Sequence, residues 1–507
     1  MKKRSLVFLL CFCMMLSATG CSGKTKDKGQ TDADITKEET LSFDESKEIT
    51  LTVDLHGWTP SINETPTPEN PTVFRSPQVI ADAFMEKYPN VKIEFIRTKP
   101  HGTEEEVAQW FTTQIAAETC PTIAFTWGTA YQSRDWYVPL DEYLDMPNQF
   151  IEGNEKWRDI FPDYLWTNHA VANVKGEVVS IPISLYPGCA TGYYYNKEIF
   201  QEVGITKLPT TLGELEEASK KLQAAGYVGI APYEGFTSVT TDQWITQFIV
   251  GPAVGNYIMD KVDYNKNGAI EEGERVRGVK AGIYNPVNND YAREVWLQMK
   301  NYFNNTLEDG WESTNYWKLW TTGKVGMVED GLWRRVNEDN NTEREFEYGI
   351  FPAVLMSDDT SKFAKKVEMT ESGPYQPDPD LELNIMKSAV KDDKDLLNAA
   401  ILFLQFMTVP DHVTSLVQEN GVTIGAVKGT KAPAQLAEWL SQPFPKVPVA
   451  RWPIAFTTGE NINANKVFEI WVKGGMSDQD FYQKINEIQQ AGADEFIKNL
   501  KIDTTGW

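Results

Sequence analysis

From Asp263 to Glu274 the chain reads DYNKNGAIEEGE, with oxygen-bearing side chains at positions one, three and five and glycine at six. That spacing is the calcium-loop pattern, in which alternate residues turn oxygens inward and the glycine permits a sharp turn. Asp263, Asn265 and Asn267 would supply side-chain oxygens and Ala269 its carbonyl. Glu271 and Glu274 would close the shell, with Ile270 as the apolar anchor. The role expected is structural Ca2+ binding, because no pair of flanking helices suggests a sensor. An Asn/Gly/Glu surface turn is the other reading of the same residues. A second chemistry is offered by aromatic rings, which can lie flat on the C–H faces of sugars. Trp58 follows the first predicted strand, and Trp127 and Tyr131 follow the third. Most of the sixteen tryptophans must be structural, and Trp110, Trp157, Trp296, Trp439 and Trp471 fall on helical patterns that read as packing.

Catalytic signatures are missing: there is no His-Glu-x-x-His, no Gly-x-Ser-x-Gly and no complete phosphate-binding loop. Four histidines, at 56, 101, 169 and 412, make a zinc hydrolase a poor fit. A glycosidase needs only two facing carboxylates, so 72 acids leave that class open.

The elements that would position these residues follow an alternating rhythm. A strand over 48–55 leads through a proline-rich stretch to a helix over 77–88. A strand at 91–96, a helix at 104–118 and an apolar strand at 121–125 come next. Such alternation predicts an open, largely parallel sheet with helices on both faces and ligand beyond the carboxyl ends of its strands. At 507 residues the chain should form more than one lobe. Its net charge of −24 argues against nucleic acid or anionic lipid as partners.

Lys2, Lys3 and Arg4 precede an uncharged run to Leu16 and then Ser-Ala-Thr-Gly-Cys21. This is a secretory signal, too short to span a membrane permanently. Its end resembles the lipobox of bacterial lipoproteins, with Cys21 the lipidated first residue; a plain signal peptide is the alternative. Residues 22–47 are polar and charged and read as a disordered tether. Cys120 and Cys189 are the cysteines left after processing, and we expect two separate buried thiols, with pairing open.

Phrases recur along the chain in a recognisable order: FMEKYPNVKIEF (84–95), PTIAFTWG (121–128), YVPLDEYL (137–144), IPISLYPG (181–188), TGYYYNKEIFQEVGITKLPTTLGELEEASKKL (191–222), GKVGMVEDGLW (323–333) and AAILFLQFMTVPDHVTSLVQENGVTIGAV (399–427). Together they resemble the extracellular solute-binding protein family 1, the carbohydrate receptors of ABC importers. The resemblance spans some 380 residues. It implies an α/β, two-lobe, periplasmic-binding-protein-like (type II) fold with ligand in a cleft between discontinuous lobes. By that likeness the chain crosses near Tyr186, Gly326 and Leu383. Lobe 1 would be 48–185 with 326–383, and lobe 2 would be 186–325 with 384–507.

The resemblance also nominates ligand-binding residues. Tyr186 lies at a crossing, Trp244 early in the second lobe, and Trp333 after Asp330-Gly331, where relatives place aromatics. Glu234, Glu329, Asp330 and Arg334 are polar candidates, and Arg334 and Arg335 would matter most for a uronate. Some alginate-binding relatives carry a loop like 263–274, in which the equivalent of Glu272 is a ligand. The expectation is a monomeric, non-catalytic receptor, lipid-anchored outside the bacterial cytoplasmic membrane. It would bind an oligosaccharide and deliver it to permease subunits driven by an ATPase. A receptor for a peptide or phospho-compound, or a surface glycoside-active enzyme, are the alternatives.

Overall fold

The computed structural model describes residues 41–507 except 63–64, 66–72, 101–103, 127–133, 169, 174, 189–190, 232–245, 254–256, 307–315, 365–366, 447–451 and 454–457. Two mixed sheets organise the described chain. The first is built from β1 (Ile49–Asp54), β2 (Val91–Phe95), β3 (Ile123–Phe125), β4 (Ile181–Pro182) and a late strand, β10 (Glu382–Ile385). Its order is β2-β1-β3-β10-β4. β1 runs parallel to β2 and β3, whereas β10 is antiparallel to β3 and β4. The second sheet has the order β7-β8-β6-β9, from β6 (Thr191–Asn196), β7 (Val228–Ala231), β8 (Val325–Gly331) and β9 (Tyr348–Pro352). Only β7 and β8 are parallel there; β6 opposes both its neighbours. β5 (Ser184–Leu185) and β11 (Ile424–Gly425) form a short antiparallel pair beside the first sheet.

Each sheet has its own core. Leu51, Val53, Ile123 and Leu383 are fully buried with Phe84 and Phe403 from the helices Ser76–Lys87 and Lys394–Met407. Those two rings meet edge-on at 5.2 Å. In the second core Tyr193, Leu222, Met327 and Trp296 pack with Trp471 and Phe481, the last two stacked at 3.9 Å. Trp157, Trp296, Trp439 and Trp471 are all buried, and Trp110 packs partly buried against Phe111.

The segment boundaries depart from those expected. Residues 326–383 were assigned to the first lobe, yet β8 and β9 pair with β6 in the second sheet. Residues 384–427 were assigned to the second lobe, yet their helices bury Phe403, Leu416 and Val417 in the first core. Return to the second core comes with Trp452 and the helices Thr458–Val472 and Asp478–Leu500. The reason is that an apolar strand reads alike whichever sheet receives it, so pairing partners decide the lobe. Within the expected tether, residues 42 and 43 are packed against the first core. Phe43 is buried against Tyr88 at 5.3 Å, and Asn398 Nδ2 donates to the Ser42 carbonyl.

Local chemistry explains several element ends. Asn196 closes β6 and caps the next helix, its side-chain oxygen accepting from the amides of Glu198 and Ile199. Thr211 caps the helix Leu212–Ala224 by accepting from the Glu214 amide at 3.2 Å. The Thr-x-x-Glu spacing of Thr211 and Glu214 suggests a capping box, but its reciprocal half is absent, because the Glu214 carboxylate accepts from Thr210 and Lys207 instead. The segment 368–373 is tied down: Met369 and Gly373 bridge to Pro445 and Pro443. Cys120 is a free, buried thiol, and Cys189 lies outside the described residues.

Candidate ligand-binding site

The chain passes from the first sheet to the second between β5 and β6, and this crossing is where candidate side chains meet. Asp380 donates its amide to the Ser184 carbonyl at 2.9 Å, while Tyr186 donates its own to the Asp378 carbonyl at 2.9 Å. Two crossing segments are thereby laced together. The Asp380 carboxylate then accepts from the Ser184 hydroxyl at 2.9 Å. Burial raises the Asp380 pKa, and hydrogen bonds from Ser184, Tyr186 and Trp58 pull it back. Trp58, from the turn after β1, and Tyr186, from the crossing, thus share one carboxylate.

The second lobe brings its aromatics to the same place. The Tyr186 and Trp333 ring centres are 6.2 Å apart. Trp333 stands at the start of the helix Arg334–Asp339, just past β8. A side chain on Gly331 would strike the Trp333 ring at 2.2 Å, so the glycine is what lets that ring lie back over the strand end. Asp330 is buried, and one of its oxygens accepts from Trp317 Nε1 at 2.9 Å. Arg334 lies 4.1 Å from the centre of the Trp317 ring, a cation–π geometry, and 3.5 Å from the Glu338 carboxylate. Behind the crossing, Leu332, Val422, Trp439 and Phe444 form a small apolar cluster. Trp439 Nε1 donates to the Pro187 carbonyl there.

Of the nominated residues, Trp58, Tyr186 and Trp333 meet at the crossing, while Asp330 and Arg334 meet at Trp317 beside β8. Trp127, Tyr131, Glu234, Trp244 and Cys21 lie outside the described residues. Glu329 points the other way, into the second core, where its carboxylate accepts from the Tyr302 hydroxyl at 2.7 Å. Burial pushes its pKa up to about 7. Three residues escaped sequence reasoning: Ser184, Asp380 and Trp317. Asp380 could have been found, since it lies two residues before the strand at the suspected third crossing. Trp317 could not, because the spacing of YWKLW is that of a packing helix.

At the turn after β1, the buried Asp54 carboxylate accepts from the His56 amide at 2.9 Å and pairs with buried Lys99. Lys99 also donates to the Phe125 carbonyl at 3.0 Å, so one ammonium joins the ends of β1 and β3. Burial pulls its pKa below lysine's usual value, against the opposing pull of Asp54.

The loop 263–274 is ordered by its own side chains. Asp263 accepts from the amides of Asn267 and Gly268, and Asn267 accepts from the amide of Ala269. Asn265 also accepts from the Asn267 amide, and Gly268 adopts φ +84°, the turn its position requires. Glu274 accepts from the amides of Tyr264 and Asn265 and completes a capping box with Glu271 on the helix Glu272–Lys280. Glu272 does not belong to the shell: it is buried in an ion pair with Arg275 at 2.8 Å. The remaining donors are all oxygens, which suits a hard cation. Among the described residues, no three carboxylates, histidines or cysteines converge on one point.

Two α/β lobes joined by crossing segments, with aromatics and an acid at the junction, are the architecture of a solute-binding protein. The chain belongs to the family of bacterial extracellular solute-binding proteins, whose family model matches residues 69–414. Solved structures share the fold. The raffinose complex of RafE is 15% identical with a TM-score of 0.55, covering 88% of this chain and 100% of that one. A family 1 extracellular solute-binding protein from Bifidobacterium longum subsp. infantis is 15% identical with a TM-score of 0.56, covering 88% and 99%. The GacH receptor of Streptomyces glaucescens, solved unliganded and with acarbose, is 16% identical with a TM-score of 0.55, covering 89% and 98%. No curated protein sequence matches the chain.

Proposed function

We propose that this protein is the substrate-binding lipoprotein of an ABC importer, holding an oligosaccharide between its lobes and delivering it to the permease. The carrying observation is the meeting of Trp58, Tyr186, Asp380 and Trp333 at the crossing of a family fold. Rings would stack on sugar faces, while Asp380 accepts from sugar hydroxyls. Closure about the laced crossing segments would present both lobes to the membrane partner. The raffinose, acarbose and chitin-oligosaccharide receptors among the structural relatives support the ligand class. The lipobox-like sequence supports anchoring through Cys21 at the outer face of the cytoplasmic membrane. We further propose that the receptor is monomeric and non-catalytic, with an ATPase driving its permease.

Titrating the processed chain with a panel of oligosaccharides tests this reading. Saturable binding, with the sugar recovered unchanged, is expected; conversion of the sugar would instead reveal an enzyme. Trp333→Ala should weaken the tightest ligand by about 10- to 100-fold, a larger effect than its loss of stability, because the ring is partly exposed beside Tyr186. Unchanged affinity would remove Trp333 from the platform.

The same proposal extends to the loop 263–274 as a structural Ca2+ site formed by Asp263, Asn265, Asn267, Ala269, Glu271 and Glu274. The ion would neutralise acids that otherwise face only amides, clamping the helix Glu272–Lys280 to the loop. Calcium at about thirty times its Kd would add about 2 kcal/mol of stability. Asp263→Ala should erase that increment in chelator-controlled melts, and an equal calcium response from both proteins would rule the site out.

A further inference from the structure

The chain passes between the two cores after β5, again from β9 to β10, and a last time after Val427, rejoining the second core at Trp452. The last two connections are joined by their backbones. Thr370 donates its amide to the Phe444 carbonyl at 2.7 Å, Gly373 to Gln442 at 3.0 Å and Lys446 to Glu368 at 2.7 Å. The Thr370 hydroxyl accepts from the Phe444 amide at 2.9 Å. From this strip, and from the short helix Ala437–Leu440 before it, two buried rings reach back to the first crossing. Trp439 Nε1 donates to the Pro187 carbonyl. Phe444, 5.8 Å from Trp439 between ring centres, covers Gly188 so closely that a side chain there would meet the ring at 2.3 Å. Gly188 has φ +111°, and its amide donates to the Tyr186 carbonyl at 2.9 Å, closing a tight turn.

We infer that Trp439 is a positioning residue: by holding the Pro187 carbonyl it fixes the Tyr186–Gly188 turn, and with it the pose of the Tyr186 ring beside Trp333. The inference rests on the oligosaccharide reading and adds to it a residue that acts through Tyr186 rather than on the sugar. So small a turn has few bonds with which to hold itself. Proline brings no amide. The Tyr186 amide goes to the Asp378 carbonyl, and the Gly188 amide stays inside the turn. Between them the Pro187 carbonyl is the group that ties the turn to the rest of the fold, and the indole takes it. Pro187 and Gly188 are buried, so removing that donor leaves the carbonyl with a desolvation penalty and the turn with a reason to move. A ring that must be ordered as the sugar arrives binds more weakly than one already held in place.

Trp439→Phe keeps an apolar ring and removes the donor. In hydrogen exchange followed by mass spectrometry on the processed chain, peptides covering Tyr186 and Gly188 should exchange about tenfold faster, with those from β1 and β8 unchanged. The tightest oligosaccharide should bind about 3- to 10-fold more weakly. In a Tyr186→Ala background the same change should cost no affinity, since no ring is left to position. Exchange that rises evenly through both cores would mark Trp439 as packing alone and overturn the inference. Unaltered exchange at the turn overturns it too, as does an equal loss of affinity in both backgrounds or a loosened turn with full affinity. If no glycan binds, the oligosaccharide reading falls by itself, and exchange at the turn decides whether Trp439 holds it.

Discussion

Asp54→Ala should destabilise the protein by about 3–5 kcal/mol, the usual consequence of removing one partner of a buried ion pair. The side chains of Asp54 and Lys99 are 1% and 3% exposed, so neither charge has water to fall back on. The variant would strand the ammonium against Phe111 and Phe125, over whose rings it sits at 5.6 and 5.1 Å. It would also free the His56 amide, in a residue held at φ +49°, where non-glycine backbones are strained. That strain lies two residues before Trp58, so ligand affinity should fall along with stability. Denaturant unfolding of the single variant, of Lys99→Met and of the double variant forms a cycle. The double variant is expected to recover most of the loss, because an apolar pair needs no partner. A double variant as unstable as Asp54→Ala alone would show that the pair is not what holds the turn.

Glu329 gives the second large effect, and it depends on pH. Its folded-state pKa of about 7 lies above the ordinary 4.5, so the folded protein holds a proton that the unfolded chain releases. Below the ordinary value both states are protonated and folding suffers no penalty. As pH rises from there through about 7, stability falls, and it levels off once the buried carboxylate has ionised. The shift corresponds to about 3 kcal/mol across that window. Glu329→Gln keeps an acceptor for the Tyr302 hydroxyl and cannot ionise. The variant should therefore gain on the wild type steadily between about pH 5 and 8 and show no relative gain at pH 4. Parallel stability curves for the two proteins over that range would defeat the claim.

Why Glu329 and Asp330 behave so differently shows how far sequence alone could reach. Both were nominated as polar partners of a ligand, and along a strand adjacent residues face opposite sides. Which side was the cleft could not be read from GKVGMVEDGLW, since the strand is buried on both faces. The same limit explains the lobe boundaries. Caps and apolar spacing act within a few residues and leave marks in the sequence, as Thr211 does ahead of the helix Leu212–Ala224. Partner choice between sheets depends on contacts far apart in sequence, as when β10 joins β3 across more than two hundred and fifty residues.

The sequence by itself determined the alternation of strand and helix, the family order of phrases and the oxygen spacing of the 263–274 loop, and it nominated an export signal and aromatic ligand platforms. These are local properties, set by side-chain type and short-range periodicity. Tertiary structure decided that Asp380 and Ser184 meet Tyr186 and Trp58 at the crossing, that Trp317 donates to Asp330, that Glu329 turns into the core and that Glu272 is spent on Arg275. It also set Arg334 over Trp317 and Arg335 on the Gln435 carbonyl. Those outcomes turn on which groups become neighbours when two sheets fold about a shared crossing, and on which charges must then find partners away from water.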